Sequence, residues 1–123
     1  MEVKNVMNDS TYIASSDTSV GEVAKKMRDL DTGSIPVCNE QNQFMGIVTV
    51  RDIVLKGIAE EIDSTTNISG IMSRGVASVA PDTDVHEAAK IMGRNKTRML
   101  PVVENNTVVG MISRRDLSVG SDL

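Results

Sequence analysis

Across 123 residues the sequence holds one cysteine, one histidine, three prolines, one tyrosine, one phenylalanine and no tryptophan. Each scarcity excludes something. The lone Cys38 has no partner in the chain for a disulfide, and with His86 as the only other soft ligand no zinc cluster is expected, nor any covalently bound cofactor. Aromatics make up 2% of residues, so a core must be built from Val, Ile, Leu, Ala and the eight Met. No apolar run approaches the roughly 18 residues of a membrane-spanning helix, and residues 1–10 lack the basic-then-apolar order of a secretory leader. A soluble, cytoplasmic protein without a membrane partner is expected. Positive charge is also in short supply: the net charge of −4 argues against nucleic acid as a partner, because phosphate backbones are held by an excess of Lys and Arg. No nucleophile–base pair and no Walker-type phosphate loop is present, so the chain is not expected to be an enzyme.

What is present is a repeat. Hydrophobic residues at 40% and charged residues at 24% describe a globular chain of about one domain's length. Shifted by 65 positions, the sequence aligns Met7 with Met72, Asp17 with Asp82, Val20 with Val85, Ala24 with Ala89 and Met27 with Met92. Ile35, Pro36 and Val37 then meet Leu100, Pro101 and Val102. One residue is lost in an Asn-rich turn, after which the offset is 64 from Gly46/Gly110 to Asp52/Asp116. A deletion confined to a turn is what a structural repeat tolerates. Two copies, not many short ones, argue for a pseudo-twofold pair rather than a solenoid: residues 1–60, a polar linker at 61–67, and residues 68–123.

Both copies carry the same pattern. Val20, Val23, Ala24, Met27 and Leu30 recur at helical spacing, and Val85, Ala88, Ala89 and Met92 repeat the stripe. Ser19 with Glu22, and Asp84 with Glu87, read as N-terminal capping pairs. Two short apolar runs follow in each copy and predict a β-hairpin, with Pro36 and Pro101 expected at a strand start or edge. A shorter helix follows Thr49 and Ser113, and extended segments at 11–14 and 76–79 precede the long helices. The fold class is α/β (α+β), with β-α-β-β-α written twice.

Hydrophobic-Pro-Val followed by Gly-hydrophobic-hydrophobic-[Thr/Ser]-x-x-Asp, doubled in this order over about residues 3–119, resembles a tandem pair of cystathionine-β-synthase (CBS) domains, or Bateman module. The resemblance implies two domains packed sheet to sheet around a pseudo-twofold axis, with clefts between them that bind AMP, ADP, ATP or S-adenosylmethionine. It also implies a homodimer that regulates an enzyme or transporter. The rival is a ligand-independent module for protein interaction or dimerisation.

Chemistry supports named positions. Vicinal ribose hydroxyls suit the two oxygens of a carboxylate, which Asp52 and Asp116 supply, while Thr49 and Ser113 each place a hydroxyl three residues earlier. The plainer reading makes these four residues helix caps and first-turn acids. Gly46 and Gly110 serve either close ligand approach or sheet packing. Ile35 and Leu100 are core-edge residues or also walls for the base. Arg98, Arg114 and Arg115 are either phosphate ligands or solvated surface charges; the position of Arg98 is basic in many members of the family, and its counterpart in the first copy is Gly33. Residues 1–65 carry −5 and residues 66–123 carry +1, so phosphate is expected to be held unequally by the two copies. Ile53, Val54, Leu55 and Ile58, with Leu117 and Val119, exceed what one core needs and are expected to meet another subunit.

Overall fold

Helical periodicity and capping set the first long element. In the computed structural model, which describes residues 1–121, the apolar stripe becomes α1 (Val20–Leu30), opened by Ser19 Oγ accepting from the Glu22 N–H at 3.1 Å. The helix ends where Asp31 turns left-handed, and the Thr32 N–H reaches back to the Met27 carbonyl at 3.1 Å. Leu30, expected in the stripe, is exposed at the last helical position. A two-residue strand, β1 (Ala14–Ser15), precedes α1 and pairs in parallel with β2 (Ser34–Cys38); β2 pairs antiparallel with β3 (Phe44–Thr49). Thr49 caps α2 (Val50–Asp52), which runs directly into a wider π-helical stretch, Ile53–Ile58.

The second copy repeats this order. A hairpin of β4 (Met99–Glu104) and β5 (Thr107–Ser113) lies between α3 (Val85–Arg94) and α4 (Arg114–Ser121). The extended segments expected ahead of the long helices are shorter than the sequence suggests, since the counterpart of β1 is a single parallel bridge between Val79 and Val102. Asp84 does not cap α3 through its side chain. Its carboxylate turns to His86 Nδ1 at 3.2 Å, a competing partner two residues away.

Pro36 corrects the expectation of an edge position, whereas Pro101 lies in β4 of a two-stranded sheet. Pro36 lies in β2, the middle strand of its sheet, opposite Ile47. It is tolerated because Ile47 directs its N–H and carbonyl to Ser73, at 3.0 and 2.8 Å, and makes no claim on an N–H from Pro36. Pro101 faces Met111, whose backbone pairs instead with Asn8 at 3.0 and 2.9 Å.

These crossing segments explain Gly46 and Gly110. A Cβ on Gly46 would lie 2.3 Å from the Ser73 carbonyl oxygen, and one on Gly110 2.7 Å from that of Asn8. Backbone, packed against backbone, occupies the space a side chain would need, so both glycines serve sheet packing.

The chain divides into two compact units that differ from its sequential halves. One unit is Tyr12–Val76; the other joins Met1–Thr11 to the chain from Ala77 on. Each repeat therefore lends its leading segment to the other's core. Val3, fully buried, packs with Val79, Val85 and Leu100, its N–H on the Thr83 carbonyl at 2.8 Å. Ile68 does the same in the other unit, packing with Val20, Ile35 and Val48, its N–H on the Thr18 carbonyl at 2.7 Å.

Ile53 and Leu117, expected to face another subunit, belong to these cores instead. Each sits one helical turn from its strand end, where the inward face of the helix falls on the apolar layer. Val54, Leu55 and Ile58 remain 45%, 46% and 71% exposed. The Val119 side chain lies outside the described residues. Among the described residues no helix is long and apolar enough to cross a membrane.

Candidate functional site

The repeated Gly-hydrophobic-x-[Thr/Ser]-x-x-Asp motif ends a strand and starts a helix, so its hydroxyl and carboxylate meet across one turn. In the first repeat the Asp52 N–H donates to Thr49 Oγ1 at 3.1 Å, and the Thr49 N–H donates to Asp52 Oδ2 at 2.9 Å. In the second repeat the Asp116 N–H donates to Ser113 Oγ at 3.1 Å, and the Ser113 N–H donates to Asp116 Oδ2 at 2.9 Å. Both aspartates thus close a capping box.

Beyond that turn the two sites part. Asp52 is 6% exposed, the one charged residue in the buried set among the described residues. The Thr49 hydroxyl also donates to its Oδ2 at 3.1 Å, while Oδ1 receives the Ser73 hydroxyl at 3.0 Å and the Lys56 ammonium at 3.1 Å. Lys56 in turn donates to Ser73 Oγ at 3.3 Å. Burial pushes the Asp52 carboxyl up, but the Thr49 N–H, Lys56, Ser73 and the Thr49 hydroxyl together reverse this and hold it below the usual carboxylate range. Asp116 is only half-buried, and among the described residues no hydrogen bond or ion pair reaches its Oδ1.

The remaining candidates fall elsewhere. Ile35 and Leu100 are each 1% exposed and lie inside the two cores, so their burial supports a packing role rather than a wall for a base. The Arg114 N–H bonds to the Arg98 carbonyl at 2.8 Å, which brings these two arginines opposite each other at the end of the β4–β5 hairpin. Arg98, Arg114 and Arg115 are exposed, and among the described residues none forms an ion pair. Arg114 lines a cleft of about 340 Å³ between α3 and α4, with Val85, His86, Ala89 and Leu117; Ser113 and Asp116 do not line it. The matching groove of the first repeat, about 470 Å³, has Val50 in place of Arg114 and includes Gly33, the counterpart of Arg98. No group of three or more His, Cys, Asp or Glu among the described residues could hold a metal ion.

Sequence reasoning missed Lys56 and Ser73. Lys56 stands four residues after Asp52 on one helix, a spacing that signals an ion pair. Ser73, 21 residues away, leaves no local trace.

Comparison with known proteins agrees with this architecture. The family model described as CBS domain matches residues 3–57 and again residues 68–119. The CBS domain-containing protein YhcV of Bacillus subtilis is 33% identical over 117 residues, spanning 95% of this chain and 83% of that protein. An uncharacterized 17.7 kDa protein of Acidianus ambivalens is 34% identical, spanning 95% and 71%. Among solved structures, the CBS domain pair of protein MJ0100, in complex with 5′-methylthioadenosine and S-adenosyl-L-methionine, superposes with a TM-score of 0.86 at 28% identity, covering 100% of this chain and 98% of that one. Hypoxic Response Protein I, with two coordinated zinc ions, reaches a TM-score of 0.90 at 24% identity, covering 97% and 98%, and speaks to the fold alone. Two family matches on one chain, one on each sequential repeat and each covering a long helix followed by a β-hairpin, make this protein a tandem CBS domain pair, a member of the CBS domain family.

Proposed function

We propose that the chain is a cytoplasmic, non-catalytic sensor of an adenosine-containing small molecule, of the class of AMP, ADP, ATP or S-adenosylmethionine, and that it modulates a partner enzyme or transporter. The observation that carries this is Asp116: a half-buried carboxylate in the first turn of α4 with one oxygen unengaged among the described residues. Two ribose hydroxyls require two acceptor positions on neighbouring oxygens, and an ionised carboxylate supplies them with charge-assisted strength. Arg98 and Arg114, exposed and without acidic partners among the described residues, supply positive charge for phosphate. The adenosyl ligands of the MJ0100 domain pair add support, because that pair is alike over its whole length.

Thermal unfolding with increasing AMP, ATP or S-adenosylmethionine tests the reading. A ligand that binds the folded state raises the midpoint progressively with its concentration. Loss of that rise on replacing AMP with 2′-deoxy-AMP is the signature of ribose recognition; no rise with any of the three refutes the sensor.

A second reading rests on Val54, Leu55 and Ile58, which leave an apolar face on the π-helical stretch. Such a face suits a homodimer or a protein partner engaged without any ligand.

A further inference from the structure

The two copies of the motif differ in acceptor capacity. An ionised carboxylate has about four lone-pair positions for incoming donors. Asp52 has filled its set within its own unit: the Thr49 N–H and hydroxyl on Oδ2, the Ser73 hydroxyl and the Lys56 ammonium on Oδ1. Among the described residues Asp116 has received one donor, the Ser113 N–H on Oδ2. The residues that make the difference lie outside the motif. At the register of Lys56 the second copy has Gly120, which has no side chain to donate. The counterpart of Ser73, by its place beside Met111 as Ser73 lies beside Ile47, is Asn8, whose side-chain oxygen accepts from the Ser10 N–H at 3.0 Å. Among the described residues no side chain donates to Asp116 Oδ1 as Ser73 donates to Asp52.

We infer that the two aspartates have divided the motif's work: Asp116 accepts the ribose of the adenosyl ligand, whereas Lys56 and Ser73 close Asp52, which acts as an internal latch. The latch ties the start of α2 to the segment around Ser73, which crosses over Gly46. For a ribose to bind at Asp52 it must displace a hydroxyl and an ammonium that already satisfy a buried charge, so its hydrogen bonds replace existing ones and add little. At Asp116 the same hydroxyls meet an Oδ1 that no described residue engages. The consequence is one ribose-dependent site per chain, in the second repeat. This inference rests on the proposed adenosine reading and adds to it the stoichiometry and the position.

Calorimetric titration with AMP and with S-adenosylmethionine tests it, alongside amide chemical shifts of the parent protein during the AMP titration. One site per chain is expected, with the amides of Ser113 and Asp116 shifting and those of Thr49 and Asp52 remaining in place. Asp116→Asn is expected to weaken binding by about tenfold or more, the loss that accompanies a hydrogen bond to a charged group. Asp52→Asn is expected to lower the unfolding temperature while the stoichiometry stays at one. Two sites in the parent with shifts at Thr49 and Asp52, or a folded Asp52→Asn that has lost AMP affinity, would overturn the division while leaving the sensor reading intact. Binding of neither probe to the parent would overturn both. The chemical shifts need no variant, so the result stands even where Asp52→Asn fails to fold.

Discussion

Replacing Gly46 by alanine places a methyl group where the chain already has a carbonyl. The new Cβ would lie 2.3 Å from the Ser73 oxygen, 3.2 Å from its carbonyl carbon and 3.5 Å from the Arg74 Cα, and all three are backbone atoms that no rotamer change can move. Ordinary carbon–oxygen contact begins near about 3.3 Å, so the Ser73 segment must retreat by roughly 1 Å. That retreat breaks more than the contact. The Ile47–Ser73 bridge, at 3.0 and 2.8 Å, would stretch beyond good hydrogen-bond length, and the Ser73 hydroxyl would leave Asp52 from its present 3.0 Å. Overpacking costs about 1–3 kcal/mol, and weakening these bonds without losing them adds about 1 kcal/mol, the worth of one hydrogen bond, so a loss of about 2–4 kcal/mol is expected. For a chain of this length that lowers the unfolding midpoint by roughly 8–16 °C. Urea and thermal unfolding of the parent and of Gly46→Ala measure it. Gly93→Ala is the control: in α3 with nothing within 4 Å of an added Cβ, it is expected to be neutral or to stabilise by up to about 1 kcal/mol. A Gly46→Ala protein within about 0.5 kcal/mol of the parent, the range of ordinary surface substitutions, would refute the close approach.

Acid should loosen the first repeat through Asp52. Its carboxyl is held below the ordinary value in the folded state, so the stability it contributes is present above the unfolded carboxylate pKa and is lost as pH falls through the folded one. The stability difference between the parent and Asp52→Asn should therefore shrink from neutral pH into the acid range, and a constant difference would refute the latch. Arg98→Ala and Arg114→Ala should each weaken AMP about three- to tenfold and leave adenosine unchanged, with the gap closing at high salt; equal losses for both ligands would deny a phosphate role. Leu55→Glu with Ile58→Glu should shift sedimentation toward monomer and leave the unfolding temperature unchanged at concentrations where the parent is itself dissociated, since both side chains face solvent in the single chain. A parent that sediments as a monomer at high micromolar concentration would remove the homodimer.

The parts of the fold that were legible are those governed by neighbours in sequence. Helix spacing located α1 and α3, and paired apolar runs around an Asn-rich turn located both hairpins, because periodicity and turn chemistry act over a few residues. The places where the reading slipped depend on distant partners. Pro36 reads as an edge residue until Ser73 is seen taking the hydrogen bonds of Ile47. Val3 and Ile68 read as leading segments of their own repeats, and only the folded chain shows each completing the other core. The split of the last helices into a buried Ile53 and an exposed Leu55 turns on which side of a short helix meets the sheet, and a single helical turn carries too few residues to declare it.

The same limit bears on the site. Thr49 with Asp52 and Ser113 with Asp116 are one motif by spacing and by capping geometry, with matching distances of 3.1 and 2.9 Å in both copies. Yet capping consumes only one oxygen of each carboxylate, and the chemistry left over is decided by what reaches the other. A lysine one turn along the helix and a serine from a crossing segment are enough to turn an acceptor into a buried, satisfied charge. On the proposed division, Lys56 and Ser73 bind the first carboxylate to the stability of the fold and leave the second to the ligand. A motif match in such a repeat therefore identifies where an acceptor stands, and counting the donors already on it identifies whether the acceptor is still available.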